Sequence, residues 1–429
     1  MSTNLPLTFV GFGFGPIQAG LFALEAFRSG NFGRVVIAEV MPEVVRSVRE
    51  EGGKFQLNVA NVAGIEPVEV GPVEMLDPAV ATDRERLISA VAEASEIATA
   101  VPSIRFYKSD GPGSIHRVLA RGLERRHEGG GSKPLVLYAA ENHNHAAEAL
   151  EEAVLSEVAA DAQERVRAST RFLNTVIGKM SAVITDLERI RTTGLRTITA
   201  GDPRAFLVES FNRILISSIR FPPGLNFRRG ITVFKEKLDL LPFEEAKLYG
   251  HNAAHALAAY MAKLEGLVRI EDIEKIPGAR EFVRRTFLGE SGEALCRKWG
   301  HVDILFSRNG FENNVEDLLQ RMLNPNLGDL VERITRDPER KLGWDDRLVG
   351  TMRLCLAQNV TPKGFAMGAA AGLLCHCPLV RDAQEASEAL KTIWRASRPD
   401  PAEMCRVLEL VSEGLSRLRL WLDSGESPF

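Results

Sequence analysis

Short runs of apolar residues alternate with helical repeats in the first half of the chain. The run at residues 7–10 is followed by a glycine-rich turn, by a segment with apolar residues at helical spacing (21–27), and by a second apolar run at 35–38. Further apolar runs occupy residues 55–59, 97–101, 135–138 and 207–216. Strands that alternate with helices favour a parallel sheet with helices on both faces.

The second half keeps helical patterns and, from residue 235 onward, has almost no strand pattern. Apolar and charged positions alternate at helical spacing in five segments: 281–299, 314–322, 327–335, 347–359 and 403–422. The stretch at 221–230, rich in Pro and Gly, is the strongest break between the two patterns. We therefore predict an α/β domain with an extension of its sheet over residues 1–232, followed by an all-helical domain over residues 233–429.

The turn after the first strand carries a dinucleotide-binding pattern. Gly13 and Gly15 permit a tight turn and a close approach of pyrophosphate, and the following helix offers unpaired N–H groups. Glu39 ends the second strand 24 residues after Gly15, where an acid would bind the adenosine ribose and favour NAD over NADP. Gln18 stands where the third glycine is expected, which is a departure from the pattern. The alternative is a glycine turn with a purely structural role.

The predicted fold class is therefore an α/β Rossmann-type nucleotide-binding domain followed by an all-α substrate domain, with NAD as the cofactor. The candidate cofactor contacts lie in the glycine turn, at the end of the second strand and at the end of the strand before Pro102. They are Gly13, Phe14, Gly15, Pro16, Ile17, Gln18, Glu39, Thr99 and Ala100.

The helical stretch at 241–260 carries the residues that suit catalysis. Lys247, Asn252 and His255 fall within a ~140° arc of an α-helix, at about 100° per residue. Oxidation of a secondary alcohol needs a base for the hydroxyl proton and donors for the oxygen that gains negative charge. Lys247 can be that base if burial lowers its pKa toward ~7–8. On spacing alone, an amphipathic helix with one exposed Lys remains the simpler interpretation.

This stretch resembles the signature helix of the polyol-specific long-chain dehydrogenases, the mannitol dehydrogenase and mannitol-1-phosphate dehydrogenase family. The resemblance implies that Lys247 is the catalytic acid/base, that Asn252 stabilises the alkoxide, and that His255 orients the substrate. Acidic residues precede the Lys in the family, and they are matched here by Glu244 and Glu245, one of which would relay protons.

A second alkoxide donor is implied by the strand at 135–138, which ends in Glu141-Asn142 as the corresponding strand of the family ends in an acid–Asn pair. Asn142 would serve as this donor. Asn is also a favoured helix N-cap, and a helical pattern begins at Ala146, so a capping role is an alternative that does not exclude the first.

A basic loop at 336–348 resembles the mannitol-1-phosphate branch of the family more than the branch that acts on free polyols. Arg340, Lys341 and Arg347 are the candidate substrate-binding residues, because guanidinium and ammonium groups bind a phosphate or a sugar-acid carboxylate. The alternative is a solvated loop whose cations pair with the four acidic residues of the same loop.

Composition and charge exclude several other classes of protein. A net charge of −4 and a pI near 6.2 argue against nucleic acid or an anionic membrane as the main partner. No signal peptide is visible, and the longest apolar run, at 364–380, is too short to span a bilayer. Five cysteines, an odd number, suit a reducing cytoplasm. The sequence does not indicate the oligomeric state.

Three clusters contain residue types that bind metals. Residues 143–145 hold two His without a Cys or carboxylate at ligand spacing, and residues 375–377 pack Cys-His-Cys too tightly for a tetrahedral zinc site. His251 and His255 have the spacing of a helix-borne zinc pair, but Asn252 replaces the glutamate of that motif. We therefore favour a metal-free mechanism based on the lysine.

The predicted function is an NAD-dependent oxidoreductase that interconverts a secondary alcohol and a ketone on a polyol or polyol phosphate. A hexuronate oxidoreductase of the same family would share every motif described above. A nucleotide-binding sensor without turnover is the alternative outside enzymes.

Overall fold

The computed structural model describes residues 6–128 and 133–424. Contacts between Cα atoms divide the chain into two compact units, Met1–Leu240 and Leu241–Phe429.

The described residues of the first unit form two sheets. The larger has eight strands in the order β12-β11-β8-β7-β6-β1-β2-β5, and the smaller has four in the order β4-β3-β10-β9. The strands are β1 Leu7–Phe12, β2 Phe32–Ala38, β3 Phe55–Asn61, β4 Gly64–Val70, β5 Glu74–Leu76, β6 Glu96–Thr99, β7 Leu135–Ala139, β8 Thr170–Val176, β9 Ser181–Ile184, β10 Ala205–Glu209, β11 Ile214–Ser217 and β12 Phe234–Lys237. From β5 to β8 all pairs are parallel, which gives the strand order of a dinucleotide-binding sheet.

Side chains of the central strands alternate between two cores, because successive residues of a strand point to opposite faces. Phe9 of β1 packs on one face with β3 and β10 of the smaller sheet, whereas Val10 packs on the other face with the helices after β5 and β6. Burial on both faces explains why these strands are continuous apolar runs instead of alternating ones.

Helices cover the first unit and form nearly all of the regular structure of the second. The helices are α1 Leu24–Ser29, α2 Pro42–Glu50, α3 Ala81–Glu93, α4 Ile115–Glu128, α5 Ala146–Leu155, α6 Gln163–Ser169, α7 Leu187–Thr193, α8 Leu241–Glu245, α9 Ala253–Leu264, α10 Ala279–Thr286, α11 Glu293–Trp299, α12 Arg308–Met322, α13 Val331–Thr335, α14 Pro338–Lys341, α15 Val349–Ala357, α16 Lys363–His376, α17 Ala383–Trp394 and α18 Pro401–Ser424. Within residues 6–128 and 133–424, three segments are π-helical (Gln18–Ala23, Ala246–Asn252 and Phe287–Gly292), and four short turns are 3₁₀-helical (Ile104–Tyr107, Ile270–Lys275, Ile304–Phe306 and Arg395–Ser397).

The centre of the second unit is α16, which is rich in Gly and Ala. A Cβ placed on Gly368 would lie 2.7 Å from a side-chain atom of Leu257 on α9, and one on Gly414 of α18 would lie 2.7 Å from the Ala366 carbonyl oxygen. Glycine at these positions therefore lets α9, α16 and α18 approach one another closely.

The prediction of a Rossmann-type α/β domain followed by a helical domain is confirmed. The structure differs in detail: the runs at 55–59 and 207–209 form strands of the separate four-stranded sheet. In addition, β12 pairs with β11 over Phe234–Lys237, so a strand lies in the region where the sequence indicated only helices. An edge strand of four residues leaves too short an apolar signal to be recognised in the sequence.

A buried carboxyl group ties the loop after residue 229 to the sheet. Glu96 of β6 is fully buried, accepts a hydrogen bond from the Tyr138 hydroxyl (2.8 Å), and accepts the backbone N–H groups of Gly230 and Ile231. Desolvation raises the pKa of Glu96 by more than these hydrogen bonds lower it, and the resulting pKa is about 7.

We expect this group to make the first unit less stable as the pH rises. The folded state holds the proton of Glu96 up to pH ~7, whereas the unfolded chain loses it near pH ~4.3. The free energy of unfolding is therefore greatest below the pKa that Glu96 has in the unfolded chain. It falls by up to about 3 kcal/mol as the pH rises through 7. Glu96→Gln should remove most of this slope, because the amide oxygen still accepts the two N–H groups while its NH₂ faces Tyr138.

Hydrogen exchange of peptides covering β6 and β7 at pH 5 and pH 8 measures the effect. Tryptophan fluorescence is unsuitable, since all four Trp lie beyond residue 240. Glu85→Gln, at an exposed ion pair with Arg125, is the control that should retain the slope. An unchanged slope in Glu96→Gln would contradict this account.

Candidate active site

The glycine turn after β1 has the backbone geometry that glycine permits. Gly13 adopts φ +88°, and its N–H donates to the Ala38 carbonyl at 2.8 Å. A Cβ on Gly13 would lie 2.8 Å from the Ala100 carbonyl oxygen, whereas a Cβ on Gly15 would meet no atom within 4 Å. The turn therefore lies against the end of β6, and Gly15 borders open space where a cofactor can approach the backbone.

Two side chains of the turn point into the core. Phe14 packs edge-to-face against Phe55 and Phe206, with ring centroids 4.9 and 5.5 Å away. Gln18 is fully buried, and its Nε2 occupies the space that a side chain on Gly11 would need. Neither polar atom of the Gln18 amide has a hydrogen-bond partner among the described residues. For both residues, any contact with a cofactor would come from the backbone.

The acid at the end of β2 is arranged to accept hydrogen bonds. Glu39 is buried, and its Oε1 accepts the backbone N–H groups of Val40 (2.7 Å) and Met41 (3.0 Å). Within residues 6–128 and 133–424, Oε2 has no hydrogen-bond partner. One oxygen thus orients the carboxylate, and the other is positioned for the hydroxyls of a ribose. Together with the open space at Gly15, this arrangement fits NAD.

A carboxyl group joins the ends of β6 and β7. Glu141 is buried and accepts the Thr99 hydroxyl (3.0 Å), the Val101 N–H (3.0 Å) and the Tyr107 hydroxyl. Burial raises the pKa of Glu141. The Thr99 hydroxyl is therefore committed to Glu141, while the neighbouring Asn142 is exposed at the carboxyl edge of the sheet.

In the second unit, Lys247 and Asn252 lie on a π-helical turn, Ala246–Asn252. A π-helix bonds residues five apart, so residues 247 and 252 lie next to each other on one face. The α-helical geometry expected from the sequence had placed these two residues at the ends of a wide arc. The Thr351 hydroxyl donates to the Tyr249 carbonyl at 3.2 Å, which holds the turn against α15.

A second π-helical segment, Phe287–Gly292, packs on this turn through a close approach at Gly250. A Cβ there would lie 3.1 Å from the Phe287 ring. The Asn252 amide makes no hydrogen bond to any residue in the described part of the chain. It is therefore available to donate to a substrate oxygen.

The Lys247 amine has the lowered proton affinity that a base requires. The pKa of Lys247 is lowered to about 8, chiefly by desolvation and also by the charge of Arg347, while the charge of Glu244 opposes this shift. The side chain is half-buried, so the amine is desolvated by the surrounding protein while part of the residue remains accessible.

The two acids before Lys247 have different surroundings. Glu245 accepts hydrogen bonds from Lys298 Nζ and from Trp299 Nε1, both at 2.8 Å. Those contacts fix Glu245 against α11. Glu244 is the acid whose charge acts on Lys247.

The histidines of the helix are held neutral. Desolvation lowers the pKa of His255 to about 4 and moves the pKa of His251 well below its usual value. Their rings lie 6.1 Å apart, and His255 Nε2 lies 3.7 Å from Asp329 Oδ2. At neutral pH, His255 is therefore an uncharged hydrogen-bonding group.

The predicted substrate-binding cations differ in burial: Lys341 and Arg347 are largely buried, and Arg340 is exposed. Lys341 is buried, and its Nζ makes neither a hydrogen bond nor an ion pair with any described residue. Desolvation and then the charge of Arg347 lower the pKa of Lys341 to about 8. Arg347 is largely buried beside Asp346 (2.6 Å).

Arg340 differs from these two cations. It is more than half exposed, lies 3.7 Å from Asp337, and lines a cavity of about 560 Å³ whose wall is acidic.

Within the described ranges, no three His, Cys, Asp or Glu side chains lie close enough together to hold a metal ion. His376, at the end of α16, lies 3.4 Å from Glu339, and burial raises the pKa of Cys375 to about 11.

None of the helices in the described ranges has the length and hydropathy that crossing a membrane requires.

Two family models match the chain over most of its length. The mannitol dehydrogenase Rossmann domain matches residues 8–225, and the mannitol dehydrogenase C-terminal domain matches residues 239–403. The chain belongs to the mannitol dehydrogenase family. The resemblance drawn from the motifs is thereby confirmed, and the chain is an oxidoreductase of this family.

Curated relatives within the mannitol dehydrogenase family include mannitol-1-phosphate 5-dehydrogenases. That of Geobacillus thermodenitrificans is 30% identical over 374 residues, which cover 85% of this chain and 86% of that protein. That of Bacillus licheniformis is 28% identical over 369 residues, which cover 85% and 87%.

Solved structures share the fold of this mannitol dehydrogenase family member. A substrate-free D-sorbitol dehydrogenase matches with a TM-score of 0.75 and 13% identity, over 98% of this chain and 94% of that one. The mannitol 2-dehydrogenase of Pseudomonas fluorescens, in a ternary complex with NAD and D-mannitol, matches with a TM-score of 0.65 and 16% identity, over 96% and 92%.

Two features of the site in this mannitol dehydrogenase family member were missed in the sequence. Asp329 gives only a weak signal in the sequence. It follows a turn that contains Pro and Gly, and it lies four residues before Arg333, at the spacing of a helical ion pair. The π-helical turn gives none that we recognise, since its residues have ordinary helical spacing. Both features depend on packing between segments distant in the chain.

Proposed function

We propose that this protein is an NAD-dependent oxidoreductase that interconverts a secondary alcohol and a ketone on a polyol phosphate, with Lys247 as the acid/base. The observation that carries the proposal is the Lys247 amine, whose pKa is lowered to about 8 on the helix that bears the motif of the family. An amine with this pKa is partly unprotonated near neutral pH and can accept a proton from an alcohol.

The chemistry needs little from the protein beyond proton transfer and electrostatic stabilisation. Bound NAD supplies the hydride acceptor, and the glycine turn with Glu39 would hold it. Lys247 Nζ would take the proton of the substrate hydroxyl and become an ammonium, while the hydrogen on the carbon, with both electrons of its bond, would pass as hydride to that acceptor and leave a ketone. Asn252, and Asn142 by the resemblance, donate hydrogen bonds to the oxygen as it becomes negative. Glu244 would then return the proton of Lys247 to solvent.

A phosphate on the substrate is supported by Lys341. Lys341 is a buried residue whose ammonium has no hydrogen-bonded partner among the described residues, so an anionic ligand would offset the cost of its partial desolvation. Arg347 adds a second cation, and both charges lie close enough to lower the pKa of His255. The curated mannitol-1-phosphate 5-dehydrogenases noted above act, by their names, on a phosphorylated polyol.

Lys341→Gln should distinguish phosphorylated from free polyols. Loss of a charge-assisted hydrogen bond, worth about 1.5–3 kcal/mol, is expected to lower kcat/KM for mannitol 1-phosphate by about 10- to 150-fold. Activity on mannitol should change little. Steady-state NADH kinetics measure both, and Lys391→Gln on the exposed face of α17 is the control. Equal losses on both substrates would contradict a phosphate contact.

The direct test of the proposal is a panel of mannitol 1-phosphate, mannitol and hexuronates with NAD, followed at the NADH absorbance. Turnover of the phosphorylated polyol supports the proposal. Preference for a hexuronate would reassign the cations of the 336–348 loop to a carboxylate. NAD binding without turnover of any substrate would instead indicate a sensor. Activity that is lost to a chelator and restored by zinc would overturn the metal-free mechanism.

A further inference from the structure

Behind His255 lies a carboxylate that no motif of the sequence indicated. Asp329 Oδ2 is 3.7 Å from His255 Nε2, and the side chain of Asp329 is almost fully buried. Of the two imidazole nitrogens, Nε2 is the one that is buried without a hydrogen-bond partner in the described part of the chain. This separation is slightly longer than a hydrogen bond, and a modest rotation about χ2, a soft torsion in His, would close it.

The Asp329 carboxylate is fixed by contacts on its other sides. Arg333 donates to both of its oxygens, with Nε at 2.6 Å from Oδ1, and the Ile270 N–H donates to the Asp329 carbonyl at 3.0 Å. Asp329 therefore cannot turn away from His255 without breaking a bidentate ion pair.

His255 is neutral at physiological pH, so the position of its single ring proton matters. Burial lowers its pKa to about 4, the charge of Asp329 opposes this, and the charges of Arg333, Arg347 and Lys341 reinforce it. A neutral imidazole has one donor nitrogen and one acceptor nitrogen, and the partner of one nitrogen sets the role of the other.

We propose that Asp329 is a positioning residue that keeps the proton of His255 on Nε2, so that Nδ1 accepts a hydrogen bond from a substrate hydroxyl. This inference rests on the proposed function. Its consequence is a rule of specificity: the group bound at His255 must be a donor, hence a hydroxyl, and a phosphate or carboxylate oxygen is not accepted there.

The first test reads the tautomer directly and needs no turnover. In a uniformly ¹⁵N-labelled chain, two-bond ¹H–¹⁵N spectra distinguish protonated from unprotonated imidazole nitrogens. Eight histidines contribute signals, and His255→Asn identifies those of His255 by their loss. We expect the unmodified protein at pH 7 to show Nε2 protonated. Finding the proton on Nδ1 would overturn the proposal without any further variant.

A matched pair of variants separates positioning from simple stabilisation. Asp329→Asn and Arg333→Gln both break the Asp329–Arg333 ion pair, but only the first removes the carboxylate facing His255. We expect Asp329→Asn to shift His255 toward the Nδ1-protonated form, and Arg333→Gln to leave the proton on Nε2. The same tautomer in both variants, whichever it is, would contradict the proposal.

Kinetics give an independent readout. Asp329→Asn should lower kcat/KM for the preferred polyol substrate by about 10- to 100-fold, chiefly through KM, and Arg333→Gln should lower it less. Equal losses in the two variants would indicate a structural role and overturn the proposal. If the unmodified protein turns over no substrate, the proposed function fails, whereas the tautomer measurement still decides the role of Asp329.

Discussion

Replacing Lys247 with methionine is expected to lower kcat for polyol oxidation by about 10²- to 10⁴-fold, the usual contribution of a positioned acid/base. Methionine keeps much of the length and apolar volume of the lysine stem, so the π-helical turn should persist. The dissociation constant for NAD should change little, since the glycine turn and Glu39 belong to the other unit. Stopped-flow NADH formation and calorimetric titration with NAD measure the two effects.

Lys263→Met is the control for this loss. Lys263 lies further along the same helical stretch, on α9, and is exposed. Its replacement should leave kcat nearly unchanged. A Lys247→Met variant with full activity would remove Lys247 from the mechanism.

Alanine substitutions at the two glycines of the turn should separate folding from cofactor binding. At Gly15 the φ angle is ordinary and the neighbouring space is open, so Gly15→Ala should fold with an unchanged Tm. The added methyl group occupies the space into which a cofactor approaches, and we expect the dissociation constant for NAD to rise by about 10-fold or more, a cost of at least ~1.4 kcal/mol.

Gly13→Ala should differ, because a Cβ at φ +88° is strained and would lie 2.8 Å from the Ala100 carbonyl oxygen. Strain of about 1–2 kcal/mol should lower the Tm of this unit by roughly 2–8 °C and weaken NAD binding as well. Differential scanning fluorimetry and titration with NAD measure both quantities. Unchanged NAD affinity in Gly15→Ala would contradict a role of this turn in cofactor binding.

The fold was predictable where local pattern and tertiary structure agree. Apolar runs such as residues 7–10 and 135–138 are buried on both faces, so their composition alone identifies them as central strands. The smaller sheet was not separable from the larger one, because β3 and β10 have the same apolar character as the central strands. The pairing partner of a strand decides which sheet it joins. The composition of the strand itself does not identify that partner.

The candidate site was predictable in residue type and only partly in environment. Lys247, Asn252 and His255 follow from a motif, and the structure adds the desolvation and the charge of Arg347 that lower the pKa of Lys247. For Glu244 and Glu245 the sequence left the choice open, and contacts of Glu245 with Lys298 and Trp299 distinguish the two. Contacts between residues some fifty positions apart leave no periodic signal in the chain.

The central claim is that the Lys247 amine exchanges the substrate proton, and the pH dependence of kcat/KM in both directions tests it most directly. Oxidation requires the unprotonated amine, so kcat/KM for the polyol should rise with pH and level off above a pKa near 8. Reduction of the ketone requires the ammonium form, so its kcat/KM should fall as the pH rises through the same value. Lys247→Met should lose this ionisation in both directions. A rising limb near pH 8 in the oxidation direction that survives in Lys247→Met would contradict the account, because the Lys341 amine, whose pKa is also about 8, can produce only a falling limb.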